Sequence, residues 1–527
     1  MDTQEIEWNK SLNNFWKKMA YSLDRDIYKI GAEQRKYFEN YIKNNSSLTE
    51  NEKDFLLNEL QKIYDINKFD NNSDEKQQCN NCPNWHQATQ HCEFFIRKYL
   101  EDNFGNWTSG NNEIDKVIQE CQQRTVRPDS VIEWISYDRF ENVEKLTKGG
   151  CATIYTAGWN DGHYKKWNSE RQRLERSGRQ MIVLKRLNNS NSNNVRWFQE
   201  MTLSFTLDNN SGFLAAFYGL TKDPTTQDYM LVLNCYDFDL RHFLKENYLS
   251  LTLLEIYHII NRIADSLNQI HVQNIIHRDL HPGNILYIVQ SDNWFISDLG
   301  LSGPVDKQLD GIYGNLPYIA PELLYKKNYT KKSDVYSLGI IMWEMITGET
   351  PFGRLDSKDI ILSIINGCRP KIYEYIPYEY TTLMKQCWDA NPDNRPEAGT
   401  ISNKMESLIK LLYNGTNKQQ TIPFTSSKSK ISQSSLSQKI QTSKVYTFST
   451  SIQPRNATEE EQLAFETKQF VIPEGNILYL AFETKQFVIP KEFFNLSLND
   501  VDNLNASQVD QEYGVAGSSN SGLRFHD

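Results

Sequence analysis

The sequence predicts an α+β protein, and three observations predict it. Apolar runs of strand length occupy residues 181–185, 213–220 and 229–233, the last two joined by a turn at Asp223-Pro224. The spacing then turns helical. Residues 256, 259, 260, 263, 267 and 270 make the stripe of a core helix within 253–271, and 335–346 reads as a buried helix broken by Tyr336, Ser337, Gly339 and Glu344. Strands gathered in one part of the chain and helices in the next is α+β segregation. Behind the core helix comes the densest polar motif of the chain, His277-Arg278-Asp279-Leu280-His281-Pro282-Gly283-Asn284, followed nineteen residues after Asp279 by Asp298-Leu299-Gly300.

The 527 residues leave room for two or three domains and a substantial core. A net charge of −10 argues against a general nucleic-acid binder, so no nucleic-acid partner is expected. Of the eight cysteines, at 79, 82, 92, 121, 151, 235, 368 and 387, only the first three cluster, which fits a reducing compartment better than a disulfide framework. The start Met1-Asp2-Thr3-Gln4-Glu5 is acidic where a signal peptide is basic, and no run reaches eighteen apolar residues. A soluble cytoplasmic protein without membrane insertion is the expectation.

In residues 1–70 the capping pair Thr49 and Glu52 starts a helix whose face carries Phe55, Leu56, Leu60 and Ile63, a packing or docking surface. Residues 79–95 follow with a different chemistry. Cys79, Cys82 and Cys92 with His86 and His91 are the ligand types of a structural zinc site. A two-pair knuckle would want cysteine at 89 or 95, where Thr89 and Phe95 stand, so Cys79, Cys82, His86 and Cys92 are the set that closes a tetrahedron. The alternative is a metal-free loop of reduced thiols. Residues 96–135 read as helical again, punctuated by Pro128.

Gly149-Gly150 then suits a tight strand turn whose backbone N–H groups can approach anions. Residues 158–180, with six Lys/Arg, read as a solvated loop between strands. The strand at 181–185 ends in Lys185, and a buried ammonium needs anionic partners. Glu200, the only Glu between Lys185 and Asp208, is the natural one. In the polar motif, Asp279 suits a substrate hydroxyl, while Asn284 and Asp298 suit Mg²⁺, which takes hard oxygen ligands. Those are the parts phosphoryl transfer needs, since that reaction rests on positioning and charge neutralisation.

At this point the chain resembles the protein kinases. The pattern H-R-D-L-x-x-x-N is met at every fixed position, Asp-Leu-Gly stands for the usual Asp-Phe-Gly, and residues 181–185 match V-A-I-K. The glycine-rich loop is matched imperfectly, with Thr147, Gly149, Ala152 and Ile154 at its fixed positions. Residues 314–322 resemble G-T-x-x-Y-x-A-P-E with Asn315 for Thr, and the likeness is strongest to the tyrosine-kinase-like group, which mostly phosphorylates serine and threonine. The resemblance implies a bilobal kinase domain over 140–412, after a mainly helical N-terminal region (1–135) with a small zinc knuckle in view. A largely disordered Ser/Thr/Gln-rich tail (413–527) follows, in which residues 463–473 recur identically at 480–490, as a docking peptide or an assembly duplication.

It implies ATP held by Gly149, Gly150, Ala152, Ile154, Lys185, Leu233 and Cys235, with Asp237 or Asp239 toward the ribose. It implies Asp279, Lys185 and Glu200 in catalysis, and Asn284 and Asp298 on Mg²⁺. Asp334 would hold the catalytic loop, Arg395 would pair with Glu322, and Ser302 or Tyr313 would be hydroxyls whose phosphate Arg278 could meet. His281 stands where lysine is common in serine/threonine kinases. The implied activity is transfer of the γ-phosphoryl group of ATP to serine or threonine of a protein substrate in intracellular signalling. The alternatives are a pseudokinase scaffold, a tyrosine or dual-specificity kinase, and a metal-binding adaptor built on the Cys/His cluster.

Overall fold

A computed structural model describes residues 6–23, 31–70, 76–79, 82–88, 91–148, 152–187, 190, 203, 213–305, 312–326, 328–353, 355–414, 443–446 and 452–467. Helices α1 (Lys10–Ser22), α2 (Gly31–Lys43) and α3 (Glu50–Asp70) share a core of Leu12, Met19, Ile42, Leu56 and Leu60. The capping pair forms as the sequence implies: Thr49 N–H donates to Glu52 Oε2 at 2.8 Å, and Glu52 N–H to Thr49 Oγ1 at 3.3 Å. Ile63 is the exception on that helix face and stays exposed. Helix α1 lies on the helical lobe. Lys17 pairs with Asp292 at 2.6 Å, and the Tyr21 hydroxyl accepts from Asn261 Nδ2 at 2.9 Å.

Helices α4 (Glu93–Asp102) and α5 (Asn112–Arg124) belong to the strand-rich lobe rather than to a separate unit. Ile114 and Ile118 of α5 are buried in one cluster with Leu187, Phe217, Leu220 and Leu231. Strand β1 (Glu133–Trp134) enters the main sheet parallel to a central strand, so the sheet begins ahead of the expected domain start. With β2 (Phe140–Lys148), β3 (Ala152–Trp159), the hairpin β4 (Tyr164–Asn168) and β5 (Arg173–Arg176), β6 (Gln180–Leu187), β7 (Phe217–Lys222) and β8 (Tyr229–Asn234), the six-stranded order is β1-β7-β8-β6-β3-β2. Gly219 is required there. At φ 147° a Cβ would come within 1.9 Å of the Glu133 carbonyl oxygen on β1.

The polar excursion is a correction. It is not a solvated loop: the β4–β5 hairpin packs on α4, with Leu174 buried beside Ile96 and Leu100 and Trp167 stacked 6.1 Å from Phe95. Arg176 forks onto both carboxylate oxygens of Glu133 at 2.9 and 2.7 Å. Charged residues hid the hairpin because their heads satisfy partners while their stems cover apolar surface.

The second lobe is helical. Helices α6 (Leu240–Asn247), α7 (Leu253–Val272), α8 (Lys331–Thr347) and α9 (Ala398–Asn414) enclose the largest core, with α9 packed along α7. A capping box between Thr252 and Glu255 starts α7, and α8 is buried on all sides from Ser333 to Thr347. Two tail segments also lie on this lobe. Residues 452–467, ending in α10 (Glu459–Glu466), dock through Gln462, whose amide exchanges bonds of 3.0 and 2.9 Å with the Arg369 backbone. Residues 444–446 form a strand described below. The second copy of the duplicated segment lies outside the described residues. Among the described residues, no helix is long and apolar enough to cross a membrane.

Candidate active site

The site lies where the sheet meets the helical lobe. Lys185 is on β6, between β3 (partner Ile154) and β8 (partner Leu231), and is 8 % exposed. Its Nζ reaches across the lobes to Asp298 Oδ1 at 2.7 Å. Asp298 takes a left-handed conformation, φ 59°, at the turn after the hairpin of β9 (Ile285–Ile288) and β10 (Asn293–Ile296), and accepts the Gly300 N–H at 3.2 Å. An L-residue at positive φ is sparsely populated, and here the carboxylate's bonds hold it. Glu200, the expected partner of Lys185, and Gly149 and Gly150 lie outside the described residues. Ala152 and Ile154 are on β3, facing the lysine strand.

The loop carrying Asp279 rests on Asp334 of α8. This carboxylate, 1 % exposed, accepts His271 Nε2 at 2.8 Å and the backbone N–H groups of His277 and Arg278 at 2.8 and 2.9 Å. Burial alone would disfavour its charge, but these donors carry its pKa below the usual range. Arg278 has φ 70°, and its guanidinium donates to the carbonyls of Leu301 and Pro304 at 3.3 and 2.8 Å. Its guanidinium thus meets backbone carbonyls of the segment after Asp298. Ser302 and Tyr313 are corrected too. Ser302 is 1 % exposed and donates to the His277 carbonyl, while Tyr313 is buried with its backbone bonded both ways to the Tyr329 hydroxyl. Both residues are buried.

Asp279, 8 % exposed, sits over this pedestal, and burial, with the nearby Asp298 charge adding to it, pushes its pKa up to about 6. Asn284 donates Nδ2 to the Asp279 carbonyl at 2.9 Å, committing its nitrogen and turning its oxygen toward a ligand role. The Asn284 carbonyl in turn accepts Ser297 N–H and Oγ at 2.9 and 3.0 Å, tying it to the residue before Asp298. The donor set of amide oxygen and carboxylate is the hard-oxygen kind that suits Mg²⁺.

At the link between the lobes, Asn234 N–H bonds the Ala216 carbonyl at 3.0 Å, and the Tyr236 hydroxyl accepts Ala216 N–H at 2.8 Å. Leu233 ends β8, and Cys235, its thiol pKa raised by burial, follows it. Both ribose candidates have other duties: Asp237 accepts Val289 N–H at 2.8 Å, and Asp239 caps α6 through His242 N–H. Glu322 and Arg395 form the expected two-pronged pair at 2.8 and 2.7 Å.

At the N-terminal cluster, the sulfurs of Cys79, Cys82 and Cys92 all lie within 4.8 Å of one another. His86 is not with them. It lies on a short strand paired with Gln77–Gln78, and its Nδ1 bonds the Ala88 carbonyl at 2.8 Å. His91 is likewise engaged, with Val126 O.

The residues that sequence reasoning missed are in the tail. Strand β12 (Lys444–Tyr446) pairs antiparallel with β11 (Ile312–Gly314), and Ser443 Oγ donates to Asp279 Oδ1 at 2.9 Å. The available signal was Lys444-Val445-Tyr446-Thr447-Phe448, a β-prone alternation inside a polar tract.

A strand-rich lobe and a helical lobe joined over a lysine–aspartate bridge define the protein-kinase class of fold. Residues 140–405, half of the chain, match the family described as protein tyrosine and serine/threonine kinase, and the chain belongs to it. A protein of Dictyostelium discoideum named "Probable serine/threonine-protein kinase" is 26 % identical over 306 residues, 55 % of this chain and 16 % of its own length. A second from that organism, named "Probable LIM domain-containing serine/threonine-protein kinase", is 29 % identical over 223 residues, 42 % of this chain and 34 % of its own length. Mitogen-activated protein kinase kinase kinase 7 of Bos taurus is 32 % identical over 148 residues, 28 % of this chain and 24 % of its own length. The chain therefore spans about a third or less of each of these relatives.

Proposed function

We propose that this chain transfers the γ-phosphoryl group of ATP to serine or threonine hydroxyls of a protein substrate in intracellular signalling. The observation that carries the reading is the bridge of Lys185 to Asp298 beside a buried Asp279. Asp279 orients the acceptor hydroxyl and takes up its proton; a carboxylate with pKa near 6 holds a proton better than an exposed one. Lys185 presents its ammonium to the phosphates, opposite to the buried carboxylates in sign. Asn284 Oδ1 and the Asp298 carboxylate would hold Mg²⁺, which when bound neutralises charge on the transferring phosphoryl oxygens. The adenine would lie against the backbone of Leu233 and Cys235, with Ala152 and Ile154 of β3 and the glycines Gly149 and Gly150 before it toward the phosphates, and Glu200 as the partner of Lys185. Preference for serine and threonine is supported by the names of the relatives.

The test is phosphoryl transfer from labelled ATP with Mg²⁺ to a generic protein substrate, with phosphoamino-acid analysis of the product. Labelled serine or threonine that disappears with Lys185→Met carries the reading. A chain that binds ATP and labels nothing is a scaffold, and labelled tyrosine alone would overturn the specificity.

A further inference from the structure

The tail strand occupies the place where an acceptor peptide must lie. Strand β12 adds to the edge of β11, and the backbone N–H of Asn315, the residue directly after β11, bonds to Asp279. Gly314, the β11 residue opposite Lys444, has φ 129° and no side chain; a Cβ there would sit 3.4 Å from Asp279 Oδ1. Tyr446, opposite Ile312, is 4 % exposed and joins the core of the helical lobe. Anchored by that ring, the strand delivers Ser443 to the site.

The hydrogen bonds around Ser443 form one directed chain. Gly283 N–H donates to His281 Nδ1 at 3.0 Å, which makes Nδ1 the acceptor and puts the imidazole proton on Nε2. Burial also keeps this ring neutral, its pKa pushed down to about 3. Nε2–H therefore donates to Ser443 Oγ at 3.1 Å, and Ser443 O–H donates to Asp279 Oδ1 at 2.9 Å. A strap that only blocked the cleft would need no hydroxyl at this atom. A phosphoacceptor needs this one, its proton aimed at a carboxylate base within about 3.2 Å.

We propose that Ser443 is an intramolecular phosphoacceptor of this kinase, docked as a cis substrate by β12 and released by its own phosphorylation. The inference rests on the phosphotransfer reading above. Ser443 Oγ attacks the γ-phosphorus of the nucleoside triphosphate. The Oγ–P bond forms, and the bond from that phosphorus to the oxygen bridging the β-phosphate breaks, its electron pair leaving with the nucleoside diphosphate. The hydroxyl proton passes to Asp279 and on to solvent. The product carries a charge of about −1.5 to −2 beside Asp279 and Asp298, which opposes redocking. Before transfer, β12 holds the β11 edge against any other peptide; afterwards the edge is open. The 29 steps from Asn414 to Ser443 (443 − 414) span at most about 100 Å, ample for a reach within one chain.

The experiment incubates the full chain with Mg²⁺ and ATP and follows residue 443 by mass spectrometry, with an added serine peptide as a second acceptor. The expected result is phosphate at Ser443 appearing at a first-order rate that does not change on tenfold dilution. It is absent in Asp279→Asn chains, even when these are mixed with active ones. Tyr446→Ala, which removes the anchor and not the acceptor, should slow Ser443 phosphorylation and speed peptide phosphorylation, each by at least about threefold, the size of losing one buried ring's docking. Peptide phosphorylation with Ser443 unmodified overturns the proposal and leaves the kinase reading intact. Modification of Asp279→Asn chains by active ones overturns the intramolecular step. A chain that binds ATP and modifies neither acceptor overturns both.

Discussion

Asp334 and Asp279 are two aspartates of one lobe, 1 % and 8 % exposed, and their surroundings push them in opposite directions. Asp334 receives two backbone N–H groups and an imidazole nitrogen, and is held ionised. Asp279 faces Asp298 with fewer donors, and its pKa rises to about 6. Burial raises both pKa values; the donors outweigh it at Asp334, whereas at Asp279 the Asp298 charge adds to it and the donors are fewer. The contrast separates a carboxylate that holds structure from one that exchanges protons: the first is saturated, and the second is left with appetite for a hydroxyl.

The largest expected effect comes from the second. Asp279→Asn should lower phosphoryl transfer about a thousandfold, in the range for loss of a positioned proton acceptor, at unchanged ATP affinity. Its thermal unfolding temperature should stay level or rise, because a buried carboxylate short of donors costs stability. A variant that instead unfolds several degrees earlier would show Asp279 to be structural and erase the contrast. Asp334→Ala should behave in the reverse way. Three donors lose their acceptor, and Arg278 keeps its φ of 70° without the bond that secures its N–H. A loss of about 3 kcal/mol in denaturant unfolding is expected, as when one partner of a buried charged network is removed, with activity falling as a consequence. Stability within about 0.5 kcal/mol of wild type would refute the saturated role.

This division also explains what was legible. The catalytic loop, Lys185, Asp298, Asp334 and the Glu322–Arg395 pair could be read because their chemistry needs fixed residue types at fixed spacing. The strands at 181–185 and 229–233 and the core helices at 253–271 and 335–346 were readable from apolar runs and periodicity, whereas 133–134, read as helical, is a strand of the main sheet. The β4–β5 hairpin was not readable, since Arg176 on Glu133 and Trp167 on Phe95 are partnerships across distant sequence, invisible to local pattern. Ser302 offered an accessible-looking hydroxyl, but whether a serine is 1 % exposed is decided by tertiary packing. Ser443 lay in a tract whose composition reads as solvent-facing, and only pairing of the next three residues with the β11 edge brings its hydroxyl to Asp279 and His281.

Glu344 sharpens the comparison as an intermediate case. It is buried on α8 with one neutral donor, the Tyr318 hydroxyl, and the charge of Arg241 nearby, and burial pushes its pKa up to about 7. A folded pKa above the unfolded value means the native state binds the proton more tightly. The group's stabilising contribution is then complete below about pH 4.5 and is lost as pH rises through 7, on the order of 3 kcal/mol at most. Glu344→Gln keeps an acceptor for Tyr318 and removes the titration. The stability of the variant relative to wild type should therefore grow between pH 4.5 and 8, measured by denaturant unfolding at each pH. A difference independent of pH would mean that Arg241 keeps Glu344 ionised throughout, as the donors keep Asp334.

The same rule reaches the N-terminal cluster, with the smallest expected effect on the kinase lobes. Three thiols within 4.8 Å can stay neutral and packed, or become thiolates around a cation, because three adjacent anions without a counter-charge are excluded by repulsion. Were zinc held here, Cys79, Cys82 and Cys92 would supply three of four tetrahedral positions; His86 is turned to Ala88, and water or a rotated imidazole would complete the set. Purified chain should carry about one zinc per molecule by elemental analysis, and Cys82→Ser should lose most of it, since a hydroxyl is a poor ligand for this ion. Chelation of the wild type should lower the unfolding temperature of the N-terminal region by only a few degrees, as most of its neighbours are held by the apolar packing of α4 on the hairpin. If the chain as purified holds no zinc and all three thiols react with a thiol reagent at the rate of Cys121, they belong to the first state, neutral and packed, and His86 is simply bonded to a carbonyl.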